Sequence, residues 1–296
     1  MITVVVTTRD DERTIAACLS SVVPQMAGTP HEIVVLDDAS SDGTVGIVVE
    51  QYPGVRLIAE PRRAGWIVML GKHLPELHGD AVAFLGSHCT AEPDWLRSAA
   101  ALVDSGLDIA SGFGRHGARG FWDRLEELSM HAEYLGREPG IVSILWDDNC
   151  IIRRGLLERA LPVSDAVLSD GPGATWLSRR LRAMGEALPY RPELRVQHAG
   201  ASFGEQLAAW YRDMARNAVD LRRADPTMPL ASALRWGPLA AVPITAGRWL
   251  HGLKGMIRAR REIEVGLPEV MLHGVLFTGL MAAYCCGLVR ELTTHR

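Results

Sequence analysis

The segment EIVVLDDASSDGT at residues 32–44 constrains the fold of this chain more than any other. Its apolar run Ile33–Leu36 is typical of a short strand that is buried on both faces of a sheet. Asp37 and Asp38 follow where that strand ends, before a run of turn-forming and helix-capping residues. Ligands of an open parallel sheet bind beyond the carboxyl ends of its strands, where carboxylates can accept hydrogen bonds from a base or from ribose. The alternative is an acidic turn that only caps the next helix.

The N-terminus adds a second strand with the same arrangement. Ile2–Val6 is rich in β-branched residues, and the polar residues 7–10 follow it. Residues 11–23 have apolar residues at helical spacing, and Pro24 is expected to end that helix. The pattern predicts a β-loop-α-β unit of an α/β fold, with polar side chains after both strands. The glycine patterns GxGxxG and GxxxxGK[ST] are absent, so the common dinucleotide and P-loop sites are not expected.

These segments, with three later ones, resemble the family 2 glycosyltransferases of the GT-A fold. Five blocks carry the resemblance, in the family's order: VVVTTRDDERTI (4–15), VVLDDASSDGT (34–44), AVAFLGSHCTAEPDWL (81–96), WDDNCIIRRGLLE (146–158) and LSDGPGATWLSRRLRAMGEALPYRPELRVQH (168–198). The resemblance covers about residues 1–200 and implies a mixed, mainly parallel sheet flanked by helices. It also implies inverting transfer of a sugar from a nucleotide-sugar donor, most simply a UDP-sugar.

The donor nucleotide is expected at the ends of the first two strands. The polar side chains there are Thr8, Asp10, Asp37 and Asp38. Arg9 and Asp10 stand where the family usually has Tyr and Asn. Lys72 is expected to neutralise the donor phosphates.

The metal motif of the resembled family is altered in this chain. The family's Asp-x-Asp, which binds a divalent metal, corresponds to Gly86, Ser87 and His88. The string FLGSHC is similar to the FLDSHC of the polypeptide N-acetylgalactosaminyltransferases, in which Asp-x-His ligates manganese. His88 is therefore an expected ligand of Mn²⁺ or Mg²⁺. His198 is the second expected ligand, because it stands where the resembled family often has a histidine that contacts metal or phosphate. Gly86 removes an anionic ligand, so metal affinity should be weak and Gly86→Asp should raise it.

Metal-free binding remains an alternative for the donor diphosphate. In that case the phosphates would be neutralised by basic side chains, namely Lys72, Arg62, Arg63 or Arg153. His88 would then be a hydrogen-bonded loop histidine.

Asp170 is the expected catalytic base. The resemblance implies this role because the family's Glu-Asp pair corresponds to Ser169 and Asp170, and inverting transfer needs a carboxylate to accept the acceptor's proton. Asp170 could instead cap a helix expected from Thr175 to Met184. On the acceptor side, Asp147 and Asp148 occupy the family's two glycine positions, and Asn149 matches its asparagine.

The C-terminal third has a different composition. Residues 201–296 carry 12 Lys and Arg against 8 Asp and Glu, within a chain of net charge −4 that is not expected to bind nucleic acid. An amphipathic helix is expected within residues 201–228. A basic cluster at 256–262 precedes Val270–Val289, which contains no charged residue other than histidine. This pattern favours contact with a membrane surface, either spanning or interfacial, whereas a helical lid or a homo-oligomer interface is the alternative.

We therefore expect a catalytic domain at residues 1–200 and a helical, membrane-associating region at 201–296. The five cysteines show no CxxC pairing, and the first residues lead directly into a strand. Reduced thiols, no signal peptide and a location at the cytoplasmic face of the membrane are the corresponding expectations. The expected acceptor is lipid-linked or part of the cell envelope. The principal alternative is a degenerate, non-catalytic module that binds a nucleotide or a partner, while a nucleotidyltransferase would need a basic glycine-rich loop that is absent.

Overall fold

The computed structural model describes residues 1–26, 31–116, 120–130, 139–161, 173–200, 202–261 and 264–294. The chain divides into two compact units. The first comprises Met1–Gly117 and Glu138–Ala199, and the second comprises Ala118–Arg137 and Gly200–Arg296. The first unit contains the sheet, whereas the described part of the second is helical.

The first unit is built on one mixed sheet. Its strands are β1 (Ile2–Thr8), β2 (His31–Asp37), β3 (Arg56–Ala59), β4 (Ala81–Gly86), β5 (Cys89–Ala91), β6 (Ile109–His116), β7 (Gly140–Ile141), β8 (Asn149–Arg153) and β9 (Pro189–His198). The α-helices of the chain are α1 (Ile15–Val22), α2 (Thr44–Gln51), α3 (Trp66–His73), α4 (Trp95–Asp104), α5 (Phe121–Met130), α6 (Arg154–Ala160), α7 (Gly173–Ala183), α8 (Phe203–Ala209), α9 (Ala215–Ala224), α10 (Ala241–Ala259) and α11 (Leu267–Thr294).

The strand order is β3-β2-β1-β4-β8-β6-β9-β5, and β7 pairs with β9. The neighbours β3, β2, β1 and β4 are all parallel. β8 is antiparallel to both β4 and β6, and β6 is parallel to β9. The expected mixed, mainly parallel sheet flanked by helices is thus confirmed.

The parallel strands are apolar along their length because both faces of the sheet are covered. Val4–Val6 and Val34–Leu36 are fully buried. The register pairs Thr8 with Asp37 and Thr7 with Gly86. The loops after β1, β2 and β4 therefore leave the sheet at one edge, as expected for a ligand site.

Helix α1 differs from expectation at its start. It begins at Ile15 rather than at Asp11, because the amides of Thr14 and Ile15 both donate to the carbonyl of Asp11 at 3.0 Å and form a turn. It ends at Val22, and Pro24 lies in the 3₁₀ turn Val23–Met26 that follows. The turn at its start leaves the Asp11 side chain at the edge where the ligand loops meet.

The second unit is organised around α11. The amphipathic helix expected within 201–228 is present as α8, a π-helical stretch Trp210–Met214 and α9. Trp210 is buried and meets Phe277 of α11 edge-on, with ring centroids 6.1 Å apart. Glu291 of α11 is buried as well and pairs with Arg290 of the same helix. One side of α11 is therefore the core of this unit.

The opposite side of α11 carries exposed apolar residues. Leu267, Met271 and Val275 follow one another at four-residue spacing and are 57–72% exposed. Across the described part of the chain, α11 is the one helix whose length and composition could cross a membrane. Because the opposite face of α11 is packed inside the unit, only part of the helix circumference is exposed.

Candidate active site

The loop after β1 presents an oriented carboxylate. Asp10 has a left-handed backbone conformation with a φ of 55°. Its Oδ1 accepts hydrogen bonds from the amide of Ser41 at 2.7 Å and from the Ser41 hydroxyl at 3.1 Å. The amide of Ser41 is the main cause of the lowered pKa of Asp10. This side chain is 42% exposed, so it is an ionised acceptor that a ligand can reach.

Asp37 and Asp38 are buried, and their carboxylates accept hydrogen bonds from nearby backbone amides. Asp37 accepts hydrogen bonds from the amide of Ser40 at 3.0 Å and from the Ser40 hydroxyl. Asp38 accepts from the amides of Ala64 at 2.6 Å and Gly65 at 3.1 Å, which precede α3. Both carboxylates thus shape the loops of this edge. Each oxygen has two lone pairs, so Asp38 can still accept from a ligand.

Asp11 and Ser87 join two of these loops, and the sequence interpretation missed both. The Oδ2 of Asp11 accepts from the Thr8 hydroxyl at 2.9 Å and from the Ser87 hydroxyl at 2.5 Å. Ser87 is buried at the end of β4. The signal that could have revealed the pair is its position: each residue is polar and lies within three residues of the end of a buried parallel strand. The Asp11–Ser87 hydrogen bond connects the loop after β1 to the one after β4.

Beyond β4, His88, Asp148 and His198 lie together, and we call them the histidine cluster. The rings of His88 and His198 meet edge-on with centroids 4.6 Å apart, and Nε2 of His88 is 3.4 Å from Oδ2 of Asp148. The pairing of Cys89 with His198 between β5 and β9 fixes this arrangement. Trp146 packs beside His198 at 5.7 Å between ring centroids.

The cluster contains donor atoms suitable for a metal. Ligand atoms of His88, Cys89 and His198 all lie within 4.8 Å of one another. Cys89 is fully buried, whereas His88 is 35% exposed. Two imidazoles and a neighbouring carboxylate are a ligand set that Mn²⁺ accepts, so the residues fit a divalent cation.

Electrostatics of the cluster are dominated by its carboxylates. Burial disfavours the His88 imidazolium, but the charges of Asp148, Asp11 and Asp147 outweigh burial and raise the pKa of His88 to about 9. Burial and the neighbouring charge of Asp148 raise the pKa of Asp147 well above its usual range. The site therefore concentrates negative charge that a bound cation would neutralise.

Gly86 leaves space that Asp148 fills. A Cβ placed on Gly86 would lie 2.8 Å from Cγ and 2.9 Å from Cβ of Asp148. The amide of Gly86 also donates to the carbonyl of Asp148 at 3.0 Å. The expected gain in metal affinity from Gly86→Asp alone stays a prediction, and this geometry opposes it, because the new side chain would collide with Asp148 unless one of them shifts.

The Asn149 side chain is hydrogen-bonded to other parts of the protein through both its oxygen and its nitrogen. It is fully buried, its Oδ1 accepts from the Trp95 indole at 2.8 Å, and its Nδ2 donates to the carbonyl of Leu194 at 2.8 Å. Its amide therefore ties β8 to α4 and β9. Asp147 and Asp148 precede it and take their positions from this anchor.

The basic residues differ in position. Lys72 lies on α3 and pairs with Glu60 at 2.6 Å, beside the end of β3. Arg153 pairs in register with Ala81 at the start of β4, donates to the carbonyl of Val103 and lies at the opposite edge of the sheet from His88. This excludes Arg153 from the metal-free phosphate site.

Asp170 lies outside the described residues. Gly173 begins α7 and packs against the indole of Trp66. A Cβ built on Gly173 would lie 2.6 Å from Cε2 of Trp66. The helix expected at Thr175–Met184 is confirmed as α7 with slightly earlier bounds. Gly173 therefore lies beside the start of α3.

Known structures share this architecture. A mannosyltransferase from Pyrobaculum calidifontis, solved with GDP-Man and Mn²⁺, aligns over 100% of this chain and 87% of its own, with a TM-score of 0.61 and 20% identity. Glucosyl-3-phosphoglycerate synthase from Mycobacterium tuberculosis, solved with Mn²⁺, UDP-glucose and phosphoglyceric acid, aligns over 73% of this chain and 77% of its own, with a TM-score of 0.51 and 21% identity. At these identities the likeness shows a shared GT-A fold.

A match to a family model identifies the family of this chain. No curated protein matches the chain. The family described as "Glycosyl transferase family 2" matches residues 3–161, which is more than half of the chain and includes the loops after β1, β2 and β4. With the fold and the strand-edge site in agreement, the chain belongs to glycosyl transferase family 2.

Proposed function

We propose that this protein transfers a sugar from a nucleotide-sugar donor, a UDP-sugar in the first place, to a hydroxyl group with inversion at the anomeric carbon. The observation that carries the proposal is the histidine cluster beside the carboxylates of β1 and β2, in a chain of this family. The structural relatives solved with GDP-Man or UDP-glucose and Mn²⁺ support it by analogy.

The nucleoside is proposed to bind at the ends of β1 and β2. Asp10 is reachable and ionised, and Asp38 holds the loop that leads into α3 while keeping acceptor capacity. Thr8 and Asp37 support this surface through Asp11 and Ser40. Lys72 would reach the phosphates by exchanging its pairing with Glu60 for the donor.

A divalent cation, Mn²⁺ or Mg²⁺, would be held by His88 and His198. When bound, it supplies positive charge that stabilises the departing nucleoside diphosphate. The protein's own contribution is to hold the two imidazoles at a fixed separation through the β5–β9 pairing. Asp147 and Asp148 line the acceptor side, in positions fixed by Asn149.

Asp170 is proposed to accept the proton of the acceptor hydroxyl as its oxygen attacks the anomeric carbon. Asp170→Asn keeps the size of the side chain and removes the base, so kcat should fall by about 10²–10⁴-fold while donor affinity stays near that of the parent. Transfer from UDP-, GDP- and dTDP-sugars to lipid extracts measures turnover, and calorimetry with UDP, GDP and dTDP measures binding.

Two results would count against this assignment. Near-parent turnover of Asp170→Asn would move the base elsewhere, with Asp147 the next variant to test. Nucleotide binding by the parent without transfer or donor hydrolysis, for every donor and acceptor extract, would favour the non-catalytic alternative that Gly86 first indicated.

The acceptor is proposed to be lipid-linked or part of the cell envelope, because the second unit has a surface suited to a membrane. The stripe Leu267, Met271 and Val275 is apolar and exposed. At the end of α10, Ile257 is 62% exposed, and Arg258 and Arg261 are exposed too. Apolar and basic side chains together favour interfacial binding to anionic lipid over spanning, since the other face of α11 is buried.

Vesicle binding tests the membrane part. Full-length protein should sediment with anionic vesicles, and the variant Met271→Glu with Val275→Glu should remain in the supernatant. Val49→Glu is the matched control, because Val49 is a comparably exposed apolar residue of α2 in the first unit. Equal sedimentation of all three proteins, or none by the parent, would refute interfacial binding.

A further inference from the structure

Gly86 and Asp148 occupy complementary positions. The strand end at residue 86 has no side chain, and the carboxylate of Asp148 lies in the space that a side chain there would fill, with Cβ of Asp148 2.9 Å from a Cβ built on Gly86. The two residues are far apart in sequence. They meet because β4 and β8 pair antiparallel, with Leu85 opposite Asn149.

The position of Asp148 is fixed at both ends. Its carbonyl accepts from the amide of Gly86 at 3.0 Å, and the next residue, Asn149, is anchored to Trp95 and Leu194. Its carboxylate is directed toward His88, with Oδ2 3.4 Å from Nε2. The side chain is 23% exposed, so a ligand can reach it.

We infer that Asp148 supplies the carboxylate that residue 86 lacks. Asp148, His88 and His198 then form a two-histidine, one-carboxylate set for a divalent cation, and the remaining coordination positions are available to phosphate oxygens. Cys89 lies near but is fully buried, and thiols suit softer metals. This inference rests on the proposed function, because the donor diphosphate is the ligand that such a cation would hold.

Asp148 is identified as the carboxylate ligand both by its distance from His88 and by the space that it fills beside Gly86. Side chains at 86 and 148 compete for the same space, because a Cβ on Gly86 would lie 2.9 Å from the Cβ of Asp148. Moving the carboxylate from one position to the other should therefore preserve the site, whereas adding or removing one should harm it. If Asp148 only formed an ion pair with His88 and did not bind the metal, moving the carboxylate from position 148 to position 86 would not preserve metal affinity.

Mn²⁺ binding to the full chain tests this without any transfer assay. Electron paramagnetic resonance measures free Mn²⁺ in titrations with MnCl₂ alone and with MnCl₂ plus UDP, at one fixed pH. Asp148→Gly should lower Mn²⁺ affinity by at least about tenfold, since even the loss of an outer partner costs 10–100-fold. The double variant Gly86→Asp with Asp148→Gly should regain most of it, and Gly86→Asp alone should bind no tighter than the parent.

Two further variants guard against trivial effects. Asp147→Asn removes the adjacent carboxylate and should lose less affinity than Asp148→Gly. Asp148→Asn keeps the shape of the side chain and should lose affinity as Asp148→Gly does, which covers a folding defect of the glycine variant. Thermal unfolding identifies any variant that is not folded.

The inference is overturned if Asp148→Asn and Asp148→Gly bind Mn²⁺ like the parent, if Gly86→Asp alone binds tighter, or if the double variant stays as weak as Asp148→Gly. Failure of the proposed function looks different. In that case the Mn²⁺ pattern holds, but the parent neither transfers nor hydrolyses any nucleotide sugar.

Discussion

The side chains at the ends of β1 and β2 are held in place by different contacts from those at the end of β4. At the first, Asp37 accepts a hydrogen bond from a backbone amide of its own loop, and Asp38 accepts from amides of the loop that precedes α3. At the second, His88 lies against both Asp148 and His198. The first region is held by hydrogen bonds from loop amides to its carboxylates, and the second by the register of β4, β8, β5 and β9.

This difference explains which part of the family pattern is kept. In the segment 34–44, which is close to the family pattern, the carboxylates hold the loops together, and a substitution would leave part-buried amides without that acceptor. A metal site needs only that donor atoms meet in space, so a ligand can come from another strand. Gly86 and Asp148 are consistent with such an exchange.

The pH dependence should separate the two regions most strongly. His88 must lose its proton to bind a metal, and its pKa is raised to about 9 among Asp148, Asp11 and Asp147 with His198 alongside. Below that pKa, Mn²⁺ affinity should rise about tenfold per pH unit, or about 100-fold from pH 6 to pH 8. UDP binding in EDTA should change little over this range, because the pKa of Asp10 is lowered and its carboxylate stays ionised.

Calorimetry across this range, with His88→Gln as the control, checks the prediction. The variant removes the titrating imidazole, so the slope of Mn²⁺ affinity against pH should flatten. A parent whose Mn²⁺ affinity does not depend on pH, or whose UDP affinity in EDTA follows the same slope, would remove the distinction between the regions.

Asp38→Ala should act on the nucleotide and leave the metal site intact. It removes the acceptor for the amides of Ala64 and Gly65 along with the proposed ligand contact. We expect UDP binding in EDTA to weaken by about 1–3 kcal/mol, as for a lost hydrogen bond to a charged group. Mn²⁺ affinity without nucleotide should be unchanged, because the histidine cluster takes its geometry from other strands.

The control for this variant is Asp104→Ala, the same change at the exposed end of α4. Asp10→Ala should also weaken UDP binding, with less effect on folding, since the Asp10 side chain is 42% exposed whereas Asp38 is buried. Parent-like UDP affinity in both Asp38→Ala and Asp10→Ala would place the nucleoside elsewhere.

The sequence predicted the parallel half of the sheet well. β1, β2 and β4 are continuous apolar runs that must be buried on both faces, and such runs are visible without a structure. The strand β6 was not predicted, since its sequence IASGFGRH mixes glycine with polar residues and pairs only through β8 and β9. The π-helical stretch Trp210–Met214 likewise depends on packing against α11.

The site was predictable residue by residue but not contact by contact. The strand pattern correctly placed Asp10, Asp38 and His88 after the ends of β1, β2 and β4. The overlap of Gly86 with Asp148 depends on an antiparallel register that one-dimensional spacing does not contain. For the same reason, Arg153 was a candidate for the phosphate site although it lies at the other edge of the sheet.

The smallest expected effect concerns the link between the regions. The Ser87 hydroxyl donates to Asp11 at 2.5 Å, and Asp11 also accepts from Thr8 at 2.9 Å. Ser87→Ala removes this connection without removing a proposed ligand of metal or nucleotide. We expect the gain in UDP affinity on adding Mn²⁺ to shrink by about 0.5–1.5 kcal/mol, the net worth of one hydrogen bond.

Because coupling between two ligands is reciprocal, the gain in Mn²⁺ affinity on adding UDP should shrink by the same amount in Ser87→Ala. Calorimetric titrations in both orders measure the two gains, with Ser105→Ala as the control, since that hydroxyl donates only to the local carbonyl of Leu102 at 2.7 Å. If Ser87→Ala instead lowers the affinity for each ligand alone and leaves both gains intact, the hydrogen bond supports the two loops separately. The two regions would then communicate only through the bound diphosphate.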